Sequence, residues 1–197
     1  MPLELRTGPV EEPVSLTELK NALRIDDTAD DLLLSSLITA ARVMIETTTA
    51  RLMINQSWGY FRKAVRGAGV VHLPLSPLQS VDEILIHHQD GSSTSLDSSA
   101  YTVDPAKMRP KLQFNNSSEP ESGQHSLASN LNSLEIRFTA GYGGAASAVP
   151  DDLKQAVQML AAHWYEQRSP IGPGGSLTDM PAGVTALIAP HKDLRLQ

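Results

Sequence analysis

Apolar residues recur at helical spacing up to about residue 52, shift to short alternating runs between about 57 and 140, and return to helical spacing after residue 150. Val14-Ser15-Leu16-Thr17-Glu18-Leu19 marks the first helix start. Ser15 and Glu18 stand at the two positions of a capping box, and Val14 and Leu19 are spaced as a hydrophobic staple. The helix runs to about Leu23 and buries Leu16, Leu19 and Leu23. Asp26, Asp27, Asp30 and Asp31 then supply a turn and a second cap, acidic where the helix N-terminal partial charge favours it. A long helix to about Ala50 follows. Its apolar face carries Leu34, Leu37, Ile38, Ala41, Met44, Ile45 and Thr48, with Ser35, Ser36, Thr39, Arg42 and Glu46 opposite. A third helix opens at Pro150, buries Leu153, Ala156, Val157, Leu160 and Trp164, and ends before Ser169-Pro170.

Between the helices the period is that of strands. Ser57 to Val65, the turn Gly67-Ala68-Gly69 and Val70 to Leu73 read as a hairpin. Val81 to His88 is a strand, and Asp90-Gly91 is a strong turn signal into Thr94-Ser95-Leu96. Tyr101 to Asp104, Lys111 to Phe114 and Leu134 to Thr139 complete a small sheet. The polar stretch from Asn115 to Asn132 reads as a mobile loop, and Ile171 to Ser176, rich in Gly and Pro, as a flexible linker.

These elements predict an α+β fold, a small helical bundle with an inserted antiparallel β-subdomain and an extended C-terminal tail. The boundaries fall at 1–57 for the N-terminal helical part, 58–149 for the β-subdomain, 150–168 for the C-terminal core helix and 169–197 for a flexible linker and docking tail. Thirteen Gly and thirteen Pro, against three Phe and two Trp, suggest many loops and a modest core, with stability leaning on assembly.

Charge narrows the function classes. Sixteen Lys and Arg against 22 Asp and Glu give a net charge of −6, the wrong sign for a surface that grips nucleic-acid phosphates. The absence of cysteine excludes disulfides, thiolate nucleophiles and Cys-ligated zinc. Met1-Pro2-Leu3-Glu4 lacks the basic and apolar regions of a signal peptide, and no run reaches the ~18 apolar residues of a membrane span. The expectation is a protein kept soluble inside a cell, with no membrane partner.

Catalytic and metal readings fail on spacing. His87 and His88 are neighbours on a strand, so their side chains point to opposite faces. His163 and Glu166 could share a helix face, but two ligands make no metal site. Thr139 to Ala145 resembles a phosphate loop without the Gly-Lys-Ser/Thr ending that would hold phosphate and magnesium. The run Asp26 to Asp31 lacks the Gly and distal Glu of a calcium loop, and there is no Gly-x-Ser-x-Gly elbow. No catalytic residue, cofactor or metal is expected. Trp164 and Tyr165 are interface candidates, although an amphipathic helix more often turns such a Trp into its core. Val184, Leu187, Ile188 and, beyond them, Leu194 follow the linker. They are expected to stay out of the subunit core and to dock on a partner.

Several blocks together resemble one family. The first is the order of helix, Asp-rich turn and long helix ending at Thr47-Thr48-Thr49-Ala50-Arg51-Leu52, followed by Gln56-Ser57-Trp58. The others are Leu73-Pro74-Leu75-Ser76-Pro77-Leu78-Gln79-Ser80-Val81, Tyr142-Gly143 with Val149-Pro150-Asp151-Asp152-Leu153-Lys154-Gln155-Ala156, and His163-Trp164-Tyr165-Glu166-Gln167-Arg168. In order and spacing they are similar to the head-to-tail connector (adaptor) proteins of tailed bacteriophages, prophages and gene transfer agents. The resemblance implies a structural virion component and not an enzyme: a homo-oligomeric ring, a dodecamer in the particle, seated beneath the portal protein and above a downstream tail or stopper protein. DNA would pass through its channel without sequence-specific binding. Assembly in the bacterial host cytoplasm, then residence in the particle neck, follows from the same resemblance. The alternatives are a non-viral protein-interaction module and a small hydrolase using His163 and Glu166.

Overall fold

The computed structural model describes residues 3–62, 69–88, 90–105, 109–115, 131–167 and 180–192, with backbone alone at 131 and 132. The expected turn at Gly67-Ala68, most of the loop from Asn115 to Asn132, and the linker from Ile171 to Ser176 lie outside them. The fold is α+β. The chain divides into a β unit, residues 1–8 and 55–141, and a helical unit, residues 9–54 and 142–197.

Among the described residues, four α-helices build the helical unit: α1 (Leu16–Leu23), α2 (Asp31–Thr49), α3 (Asp151–Glu166) and α4 (Ala182–Ile188). The capping box forms as its sequence requires. The Glu18 N–H donates to Ser15 Oγ at 3.2 Å and the Ser15 N–H donates to Glu18 Oε2 at 2.7 Å, which holds the Glu18 carboxyl below its ordinary value. Arg24 (φ 57°) and Ala50 (φ 54°) end α1 and α2 in the left-handed conformation. Asp30 takes the position before α2 without a side-chain cap bond, while Asp31 in the first turn pairs with Lys20 at 2.7 Å. The core gathers Leu19, Leu34, Ile38, Ala41 and Ile45 from the first two helices. Leu153, Ala156, Val157 and Leu160 of α3, and Val184 and Ile188 of α4, complete it.

The buried stripe of α2 differs from the expected one. Leu37 and Met44 are half-buried, Thr48 is exposed and Thr49 buried, and Arg42 and Glu46, expected in solvent, are each 6% exposed. Opposite charges four residues apart can neutralise one another and therefore occupy a stripe that a single charge could not.

The β unit holds a five-stranded antiparallel sheet in the order β1-β2-β8-β4-β5 and a three-stranded one in the order β3-β7-β6. The strands are β1 (Leu3–Thr7), β2 (Gln56–Arg62), β3 (Val70–His72), β4 (Leu78–His88), β5 (Ser93–Ser95), β6 (Tyr101–Asp104), β7 (Lys111–Phe114) and β8 (Leu131–Ala140). The Asp90-Gly91 turn joins β4 to β5 as its residues demand: Gly91 has φ 85°, and Asp90 Oδ1 accepts the Ser92 N–H at 2.9 Å. The expected hairpin between Ser57–Val65 and Val70–Leu73 does not form. β2 pairs with β8, with Tyr60 opposite Ile136, and β3 pairs with β7, with Val71 opposite Leu112. Alternation marks a strand but does not name its partner, and these pairings bury side chains at both ends. β1 is a further departure from the expectation that residues 1–57 are helical. It is an edge strand held to β2 through its backbone while nearly all its side chains stay exposed, so it leaves no hydrophobic signature.

Along β8, Leu134, Ile136, Phe138 and Ala140 are buried, while Glu135, Arg137 and Thr139 alternate with them on the other face. β8 ends at Gly141, whose φ of 147° and 2.6 Å clearance between a would-be Cβ and the Asn55 backbone N leave room for no side chain.

Candidate assembly surfaces

In the helical unit, Arg42 and Glu46 meet one turn apart on α2, Nη1 to Oε2 at 2.8 Å. Arg42 Nε also donates to Glu12 Oε2 at 2.7 Å, and the Met53 N–H donates to Glu46 Oε1 at 2.8 Å. Burial works against the guanidinium charge, but the bonds and charges of Glu12 and Glu46 outweigh it and hold the Arg42 pKa above its ordinary value. The network ties α2 to the segment before α1 and to the chain after Ala50.

The C-terminal segment is built into this unit. Val184 and Ile188 are fully buried in its core and Leu187 packs against it half-buried, which corrects the expectation that they stand free for docking. Seven helical residues beyond a linker can join a core when polar anchors align them. Arg51 Nε donates to the His191 carbonyl at 3.2 Å, His191 Nε2 lies 2.7 Å from Asp152 Oδ2, and His191 Nδ1 lies 3.3 Å from the Tyr142 hydroxyl. Burial pushes the Tyr142 hydroxyl pKa up, with the Arg51 charge opposing it. Leu194 lies outside the described residues.

Trp164 and Tyr165 are half-buried and pack against the same core, and the Tyr165 hydroxyl donates to Asp30 Oδ2 at 2.6 Å. Among the described residues no three His, Asp or Glu side chains are grouped to hold a metal ion, and His163 and Glu166 are not drawn into a site. His87 and His88 take separate partners, His87 with Ser93 and Glu135, His88 with Thr94. No described helix is long and apolar enough to cross a membrane.

The polar face of the five-stranded sheet carries the second network. Glu135, 2% exposed, accepts from Arg137 Nε at 2.8 Å and Arg6 Nη2 at 2.9 Å, with His87 Nε2 at 3.1 Å. Burial raises the Glu135 pKa, but these donors and charges outweigh it, so the carboxyl is held below its ordinary 4.5. Gly59 makes the approach possible, since a Cβ there would lie 3.2 Å from Arg6 Nε and 3.3 Å from Glu135 Oε1. Arg137 Nη1 reaches Glu83 at 2.7 Å, and Arg6, Ser57, Asp82, Glu83, Ser95 and Arg137 line an open groove of about 650 Å³. The two arginines neutralise carboxylates of their own face and order it. Arg6, Glu12, Glu135, Arg137 and His191 did not stand out in the sequence, and Arg42 and Glu46 read there as solvated. The period-two alternation of Glu135 and Arg137 with Ile136 and Phe138 was the available signal.

A model of the phage gp6-like head-tail connector protein family matches residues 13–120 and 121–192. Among solved structures, the chain is similar to one from the neck of an empty gene transfer agent (GTA) particle computed with C6 symmetry, at 29% identity and TM-score 0.79. It is similar to one from the virion of a native GTA particle, at 29% and 0.80, and to one from the neck of a native GTA particle computed with C12 symmetry, at 28% and 0.76. Each likeness covers 100% of this chain and 98% of the other. Comparison with curated proteins gives no match.

Proposed function

Since this chain belongs to the phage gp6-like head-tail connector family, we propose that it closes a ring of identical subunits beneath the portal protein, twelve in the particle, and passes DNA through the centre to a downstream tail or stopper protein. It is a structural head-to-tail adaptor of the particle neck. The observation that carries the ring is the likeness to neck chains in symmetric particles along all of this chain and 98% of the other. Ring closure needs two different patches per subunit, because a head-to-tail contact whose rotation returns to its start gives a closed collar. The net charge of −6 suits a channel wall that repels phosphate, so that the genome slides without adhering. Host cytoplasm is the place of synthesis and assembly. Electron microscopy of the portal with and without this protein tests the reading. A collar added below the portal is expected; portals that stay bare at every protein concentration would overturn it.

A further inference from the structure

The exposed side of α2 carries almost no charge. Only three of its 19 residues are ionisable: Asp31, bonded to Lys20, and the buried pair Arg42 and Glu46. The outward positions recur at helical spacing as Leu32, Ser36, Ala40, Val43 and Thr47, flanked by Leu33. Leu32 is 90% exposed and Val43 48%, on a face where an isolated soluble helix would place Lys or Glu. Three exposed hydroxyls of the helix bond its own carbonyls. Ser36 Oγ donates to the Leu33 carbonyl at 2.7 Å, Ser35 Oγ to that of Asp31 at 2.8 Å and Thr48 Oγ1 to that of Met44 at 2.7 Å.

We propose that this face of α2 is the centre of the contact with a second copy of the chain. The inference rests on the ring reading and names the surface that reading leaves open. The occupant follows from charge. Copies that each carry −6 repel at close range, and a contact between them forms best where the charge has been withdrawn from the surface. A basic partner would instead favour exposed carboxylates, which α2 lacks. Length sets the scale: 19 residues at 1.5 Å span roughly 28 Å, so the face supplies the apolar centre, not the whole, of an interface of about 800 Å² per partner. Because a ring contact is heterologous, the opposing patch on the neighbour is a different surface from α2 itself.

The test uses the full chain. Val43→Glu puts a charge at the middle of the face at an exposed helical position, where Glu is a good helix former, so melting should stay within about one degree of the original. The concentration for half-association, measured by sedimentation, should rise about tenfold or more. Moderate salt should strengthen association of the unaltered protein by screening repulsion. The chain has no cysteine, so Val43→Cys carrying a photoreactive maleimide should give a ladder of cross-linked copies. Equal association of V43E, with no ladder, would remove this inference and leave the ring standing. Failure of the unaltered protein to associate at any concentration or salt would remove both. Cross-linked pairs alone, joined through position 43 of both copies, would mean a two-fold dimer and overturn the ring contact.

Discussion

In the helical unit, Arg42 and Glu46 are each 6% exposed and satisfied from within the unit, whereas in the β unit Arg6, Glu83 and Arg137 leave more than a third of their side chains in solvent and only Glu135 is covered. The same residue types meet at similar distances in both. What differs is the consequence of losing one. A buried pair has already met a desolvation cost of several kcal/mol per ion, and removing one partner strands the other charge. Arg137 on its open sheet face returns to water when unpaired, and Glu135 keeps Arg6 and His87 when Arg137 is lost, so that pairing contributes little. The helical network therefore fixes geometry and clears charge from the outside of α2. The sheet network keeps its own face polar and hydrated.

Arg42→Ala is the strongest way to break this contrast. It should destabilise the protein by about 3–5 kcal/mol, against no more than about 1 kcal/mol for Arg137→Ala, read from urea midpoints. Equal losses would show that burial does not separate the two networks. Next in size, Ile188→Ala should cost about 2–5 kcal/mol, since Ile188 is fully buried. An unchanged midpoint would mean that α4 contributes nothing to the helical core.

Glu135→Gln sharpens the comparison on the sheet side, with a loss of about 1–2 kcal/mol at neutral pH. Its pH dependence carries a sign. The folded carboxyl is held below 4.5, so its contribution is complete above that value and disappears as pH falls through the lowered folded pKa. Stability of the original protein and of the variant should converge in acid, and a gap that does not narrow as pH falls would contradict the assignment. Smallest of all, Ser15→Ala removes the α1 cap for about 1 kcal/mol, visible as a shift in thermal midpoint with α2 and the sheet unaltered in hydrogen exchange.

Local chemistry was legible in the sequence. Ser15 with Glu18, Asp90-Gly91 and the apolar spacing of α2 and α3 each specify their element within a few residues, and the blocks that resemble connectors pointed to the family. Partners far along the chain were not legible. Tyr60 finds Ile136, 76 residues away, and no alternation pattern in β2 encodes that choice over the nearer β3. Arg42 and Glu46 read as solvated because polarity is judged one residue at a time, and their burial depends on Glu12 and on the Met53 N–H. Val184 and Ile188 read as lying outside the core for the same reason: the bonds at His191 that hold their segment come from Arg51, Asp152 and Tyr142.

The strand order has a consequence for the timing of synthesis. β2 lies between β1, made first, and β8, whose last residue is Ala140, so the five-stranded sheet stays incomplete until more than two thirds of the chain exists. The helical core waits longer, for Val184 and Ile188. Neither unit can finish folding while the ribosome is still short of these late segments, and at about 5–20 residues per second the nascent chain carries open strand edges for several seconds. Protection of those edges until β8 has emerged is a demand that this topology places on the cell.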